Sequence, residues 1–352
     1  MLDDYPGLRD IIEKLIFVDC CIVTPVRPLI IAEMDMGEGY DPWSVLPPVR
    51  IILHNMDRDS WGLQKFGKNT FKYPKACHTQ TEGEMLVFDY NGEVWYHGLG
   101  KDKQFEDQGI GQRGINALKN IHGTIYATGD DRAVFRRDGR DQWTHLSEQL
   151  ESQTEALNKQ LWKKGGELWT GFDCIDGFEA DKDLYAAGGN GDVWRYDGED
   201  WLPVDIPLPK MQINTICCAE DGYVYIAGRF GTILKGREDS WQIIKHTAKT
   251  EFSDVACYKG RVYLASAARL YYIDGAQTEI VKYNARDIPA NHGHLYVNHG
   301  LMMTAGRSSA AIFDGENWKV LYGGGYLDEE TSRHVMQEVM RAAIREETGD
   351  ND

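Results

Sequence analysis

The chain has 352 residues and a net charge of −17, from 55 Asp and Glu against 38 Lys and Arg, a field that repels phosphate backbones and steers basic proteins inward. Its 42% hydrophobic and 26% charged residues exclude a disordered chain, and no apolar run reaches the roughly 18 residues of a membrane-spanning helix. Seven cysteines, with Cys20-Cys21 and Cys217-Cys218 adjacent, make a poor disulfide framework, and the acidic opening Met1-Leu2-Asp3-Asp4-Tyr5-Pro6 is no secretory signal, so a reduced, cytoplasmic protein is expected.

In chain order, the first apolar run is Leu15-Ile-Phe-Val-Asp-Cys-Cys-Ile-Val23, followed by Leu29-Ile-Ile-Ala32, Val49-Arg-Ile-Ile-Leu53 and Asp59-Ser-Trp61-Gly-Leu-Gln-Lys65. From Met85 a pattern then repeats. Met85-Leu-Val-Phe-Asp89 precedes Val94-Trp-Tyr96, and Ile125-Tyr-Ala-Thr-Gly129 precedes Val134-Phe-Arg-Arg-Asp138-Gly and Trp143. Leu184-Tyr-Ala-Ala-Gly188 leads to Asp197-Gly and Trp201, and Val224-Tyr-Ile-Ala-Gly228 leads to Trp241. Val262-Tyr-Leu-Ala-Ser266 leads to Asp274-Gly275, and Met302-Met-Thr-Ala-Gly306 leads to Asp314-Gly and Trp318. The anchors fall at 89, 129, 188, 228, 266 and 306, spaced by 40, 59, 40, 38 and 40 residues. The long interval holds Leu146, Leu150, Leu157 and Leu161 among good helix formers, which predicts a helical insertion over 147–164.

Each repeat reads as short β-branched and aromatic strands, with Asp-Gly in tight turns. A four-strand unit of about 40 residues is the signature of a propeller blade. The tryptophan after each turn is expected on the outermost strand, over the seam with a neighbouring blade. The pattern resembles the WD-repeat-like class of β-propellers over 77–322. It departs from that family in closing no blade with Trp-Asp and in having Gly-His only at Gly293-His294. The resemblance implies the fold and brings no site or partner with it.

The fold expected is therefore an all-β propeller over 1–326, with a divergent N-terminal blade at about 15–66 and clear blades at about 77–322. Seven four-stranded blades are expected, with six plus an N-terminal cap as the alternative. The run at 15–23 is a candidate to pair with the last blade and close the ring. Beyond the propeller, 327–352 reads as a helix, carrying Val335, Val339 and Ile344 at helical spacing, and an acidic tail.

No catalytic centre is visible. Gly188-Gly-Asn-Gly-Asp192 runs into a strand rather than the helix that a phosphate loop requires, and no Gly-x-Ser-x-Gly elbow is present. His292 and His294 have a spacing that suits a metal but lack further ligands, so no metal and no cofactor are expected. A different constellation stands out: Arg132, Arg229, Arg269 and Arg307 occupy equivalent loops between second and third strands, where they would ring the channel mouth. Phe230 adds an aromatic anchor, and Asp192 breaks the pattern in the intervening blade.

These features point to a non-catalytic, protein-binding propeller, monomeric by itself, using Arg132, Arg229, Phe230, Arg269, Arg307 and Asp192, with neither nucleic acid nor membrane as partner. An immunity protein that neutralises a toxin is the concrete version, since acidic inhibitors capture basic targets quickly. The alternatives are an enzyme or small-ligand binder (sugar or metal) working at the central channel, and a scaffold subunit of a larger complex. Converging His, Asp or Glu side chains at the channel would favour the former. The loop positions offer mostly arginine and small residues, which argues against hydrolysis.

Overall fold

Apolar runs of four to six residues, broken by Gly, Asp and Asn, have only enough length to cross a narrow sheet before turning back. Seven successive sheets result, in a computed structural model that describes residues 10–37, 39–41, 44–98, 105–106, 110, 114–163, 170–208, 210–274, 277–280 and 293–323. Blade 1 is Leu15–Thr24, Arg27–Met34, Val49–Asn55 and Ser60–Lys65, all antiparallel in chain order. Blade 2 has three strands among the described residues, Lys75–His78, Met85–Phe88 and Val94–His97, with Phe105 bridged to Trp95 where a fourth would lie. Blades 3 to 7 are four-stranded and begin with Ile115–Ile121, Cys174–Glu179, Ile213–Cys218, Asp254–Tyr258 and His294–Asn298. A helix, Glu148–Lys163, separates blades 3 and 4. No helix among the described residues is long and apolar enough to cross a membrane.

The first strand of every blade lies innermost, and these strands pack side by side around a central channel. Seven apolar clusters hold the ring, one at each seam. The tryptophans close the seams from outside. Trp143, on the strand Gln142–His145, packs on Phe88 of blade 2, and Trp201 of blade 4 donates its indole N–H to the carbonyl of Leu146 at 3.1 Å.

Innermost strands diverge too much to share a backbone ladder, so polar side chains staple them. Asp19 accepts from the N–H of Ala76 at 2.7 Å, Asp176 from that of Cys218 at 2.9 Å and Asp254 from that of Leu295 at 2.8 Å. Thr215 accepts from the N–H of Val255 at 3.1 Å. Asn120, Asn116 and Asn298 donate to the carbonyls of His78, Phe172 and Ile22 at 3.0, 3.4 and 2.9 Å. Every seam thus carries such a bond, which a buried backbone group requires when it has no strand partner.

The repeat's anchor glycine has a steric origin. A Cβ on Gly188 would stand 1.9 Å from the carbonyl oxygen of Gly171, and one on Gly228 would stand 1.9 Å from that of Gln212, because the segment entering each blade crosses there. The Asp-Gly turns are equally local: Gly198 and Gly315 take φ of 106° and 105°, while Asp197 and Asp314 accept backbone N–H groups across the turn.

Two expectations change. The run at 15–23 does not add to the last blade. It is the innermost strand of blade 1, and the ring closes by packing of Phe17, Cys20 and Ile22 against Met303, Ala305 and Ile312 of blade 7, with the Phe17 N–H donating to the Arg307 carbonyl at 2.9 Å. At blade 3 the third strand runs through Gly139, and the left-handed residue is Asp141 rather than the Asp-Gly pair. The helix expected over 327–352 lies outside the described residues.

Candidate partner-binding face

Antiparallel order places the loops between second and third strands at the end where the chain enters each blade. These loops and the blade-to-blade connections therefore build one face together. Backbone bonds tie them: Asp131 N–H to Thr170 O at 3.0 Å, Gly191 N–H to Met211 O at 2.7 Å, and Arg229 N–H to Gln212 O at 3.1 Å.

The four arginines do not form a uniform ring. Arg132 of blade 3 makes a bidentate pair with Asp192 of blade 4, at 2.6 and 2.9 Å, and donates to Thr154 of the helix at 3.0 Å. Its guanidinium lies 5.0 Å from the Trp194 ring, and the two charged side chains are only 15% and 13% exposed. Asp192 breaks the arginine pattern because it answers Arg132. Both residues lock two blades and the inserted helix together.

Arg229, Arg269 and Arg307 of blades 5, 6 and 7 remain exposed, forming an arc. Arg229 is 59% exposed with Glu251 at 3.6 Å, and Arg307 is 71% exposed with Asp35 at 3.8 Å, so both are loosely tethered. Beside Arg229, Phe230 stands 89% exposed. It occupies the left-handed region at φ 58° and ψ 26°, in the same turn that Asn190 makes in blade 4 at φ 63° and ψ 25°. Asparagine adopts that region readily, whereas a phenylalanine there is strained by roughly 1–2 kcal/mol and buries nothing in return.

Behind this face the channel holds what loop positions did not reveal. Its upper vestibule, 160 Å³, is lined by Asp19, Lys75, Lys119, Asp173, Asp254 and His294, among others, all carried by or next to innermost strands. A lower vestibule of 260 Å³ begins at Lys119 and Tyr296 and includes His78 and Asp176. The expectation that the channel offers mostly arginine and small residues is thus corrected: titratable side chains converge there from several blades. The strand bulges at Phe17/Asp19 and Ile115/Ala117 interrupt the alternation that would have assigned them inward.

Burial raises Asp19 to about 6 against the opposing pull of Lys75 and the Ala76 N–H, and raises Asp173 to about 6 against the Gly189 N–H. Burial together with Lys75 depresses His294 to about 3, so it stays neutral. Lys119 is buried, yet Asp176 and Asp254 hold its ammonium well above the usual lysine range. His294 Nδ1 lies 3.9 Å from Asp19, whereas His292 falls outside the described residues. No group of three or more metal-ligating side chains occurs among the described residues. All seven thiols are free, five of them buried.

No protein-family model matches the chain. Among solved structures it is similar to virginiamycin B lyase from Staphylococcus aureus, with a TM-score of 0.60, 10% identity and coverage of 85% of this chain and 94% of that one. It is also similar to the WD40 β-propeller domain of Doa1, with a TM-score of 0.57, 8% identity and coverage of 89% and 94%. At such identities these likenesses concern the fold alone. Among curated proteins, the immune protein Tsi7 of Pseudomonas aeruginosa is 32% identical over 241 residues, which span 67% of this chain and 74% of Tsi7. The chain is a seven-bladed β-propeller and belongs to the family of that immune protein.

Proposed function

We propose that this propeller is an immunity protein that binds a protein toxin through the face built by the loops of blades 5, 6 and 7. The observation that carries the reading is Phe230. A large aromatic ring almost fully in water, in a backbone conformation that disfavours it, contributes nothing to the fold and fits a binding anchor. Arg229, Arg269 and Arg307 supply bidentate donors around it. The net charge of −17 supports fast capture of a basic partner, with the arginine arc setting orientation against acidic groups on that partner. Kinship with an immune protein supports the toxin as the class of partner.

The test is the affinity of the full chain for any protein toxin encoded beside its gene, measured by surface plasmon resonance for the wild type and for Phe230→Asn. Asparagine suits the turn, as Asn190 shows in blade 4, so the melting temperature should hold. Loss of a central aromatic anchor should weaken binding by about 30-fold or more, equivalent to ~2 kcal/mol. Unchanged affinity in the variant would remove Phe230 from the interface. Absence of binding to any neighbouring toxin would overturn the reading.

A further inference from the structure

Charges of both signs enter the upper vestibule, and among the described residues its lysines and carboxylates make no direct ion pair with one another. Asp19, Asp173 and Asp254 reach it from blades 1, 4 and 6, and Lys75 and Lys119 from blades 2 and 3, with Asp254 already accepting from the Leu295 and Val255 N–H groups. Among the described residues neither lysine ammonium has a hydrogen-bond or ion-pair partner. Asp19 accepts from the Ala76 N–H and Asp173 from the Gly189 N–H, and His294 Nδ1 lies 3.9 Å from Asp19. Elsewhere in the ring buried charges meet across seams, as Arg132 meets Asp192 and Arg137 meets Glu106. In the vestibule opposite charges act on one another only at a distance, Lys75 on Asp19 and Asp254 on Lys119, so their desolvation is not offset by direct contact. Burial holds both the Asp19 and Asp173 carboxylates up at about 6.

Asn116 and Asn214 line the same space and direct their amide N–H groups to the carbonyls of Phe172 and Phe252. Among the described residues no donor reaches their own carbonyls, which adds demand for a donor-bearing guest. At 160 Å³ the vestibule is far larger than the roughly 10–15 Å³ one water needs, yet below the roughly 300 Å³ at which drug-sized sites begin. The space therefore suits a small guest that carries both charges.

We infer that the upper vestibule binds a small zwitterion, an α-amino acid no larger than valine, with its ammonium toward Asp19 and Asp173 and its carboxylate toward Lys75 and Lys119. One such molecule bridges carboxylates and ammoniums that do not touch, whereas a simple cation or anion would contact one pair and repel the other. The site stands independently of toxin binding, and its test needs no toxin.

Isothermal titration calorimetry of the full chain with L-alanine at neutral pH reads the site directly. Alanine is expected to bind with a millimolar or lower Kd, and propionate and ethylammonium at least about tenfold more weakly, since each brings a single charge. Phenylalanine is expected not to fit. Asp173→Asn keeps an acceptor for the Gly189 N–H and should weaken alanine by about tenfold or more, as should Lys75→Met. Ethylammonium binding as tightly as alanine would overturn the proposal in favour of a cation socket. Full-strength alanine binding by both variants would place the ligand elsewhere. No heat from alanine or valine would mean that water alone satisfies these charges, and would also overturn it.

Discussion

Asp19 and Glu106 are both carboxylates with little access to solvent, and the ring treats them in opposite ways. Glu106 sits on the seam between blades 2 and 3, where it accepts from Arg137 at 2.5 Å and from the Trp143 indole at 3.2 Å. Replacing it with alanine strands Arg137 and should cost about 3–5 kcal/mol in urea denaturation. The exposed pair Lys159–Glu155 should contribute only a few tenths of a kcal/mol. Asp19 makes no direct ion pair with a lysine or arginine among the described residues, and burial outweighs the distant pull of Lys75, so its carboxyl is raised to about 6. A raised value means that the folded chain holds the proton more tightly than the unfolded one. The resulting penalty is absent at low pH, grows as pH rises from about 4, and is complete above about 6. Asp19→Asn, which retains an acceptor for the Ala76 N–H, should therefore melt higher than wild type above pH 6, by on the order of 1–3 kcal/mol. That advantage should vanish as pH falls toward 4. An advantage independent of pH would show that Asp19 is already compensated. Sequence gave no sign of this difference, because the partners of Glu106 lie 31 and 37 residues away and those of Asp19 lie in other blades.

Equivalent positions in a repeat need not have equivalent roles once the repeats become blades. Arg132 and Arg229 align in the sequence, but Arg132 is held by Asp192 and by Thr154 of the inserted helix, while Arg229 reaches only an exposed Glu251. Arg132→Ala should destabilise the chain by about 3 kcal/mol, since it leaves Asp192 buried and unpaired. Arg229→Ala, Arg269→Ala and Arg307→Ala should each stay within about 0.5 kcal/mol by chemical denaturation. Equal losses at all four would contradict this division. The strand-level pattern was legible because it is local: Gly188 and Gly228 are required by a backbone crossing, and the leucines of 147–164 follow helical spacing. The pairing of Arg132 with a residue 60 positions away was not, because it depends on how adjacent blades are set against one another.

At the scale of the whole ring, each blade is built from consecutive strands among the described residues, and none of these strands is exchanged to close the circle. Closure rests on the cluster around Phe17, Ile22, Met303 and Ile312 and on the Phe17–Arg307 backbone bond. Phe17→Ala should cost about 3–5 kcal/mol and accelerate hydrogen exchange first in blades 1 and 7. Faster exchange beginning instead in blades 3 to 5 would show that the ring opens elsewhere. The blade count was legible because four of the five intervals between six copies are near 40 residues and the fifth is lengthened by a helical insertion, and the first blade was recognisable from Trp61 at its end. The channel's charge lining was not, because bulges in the innermost strands interrupt the two-residue period by which inward residues are identified.

The central claim is that the loop face of blades 5 to 7 captures a toxin. Hydrogen–deuterium exchange on the full chain, with and without any toxin found encoded beside its gene, locates the surface that is covered. The account predicts slowed exchange in the loops at 229–232, 266–269 and 306–308, with the outer strands of all blades unchanged. Protection confined to the outer strands or to the opposite face, with these loops exchanging as freely as before, would contradict it.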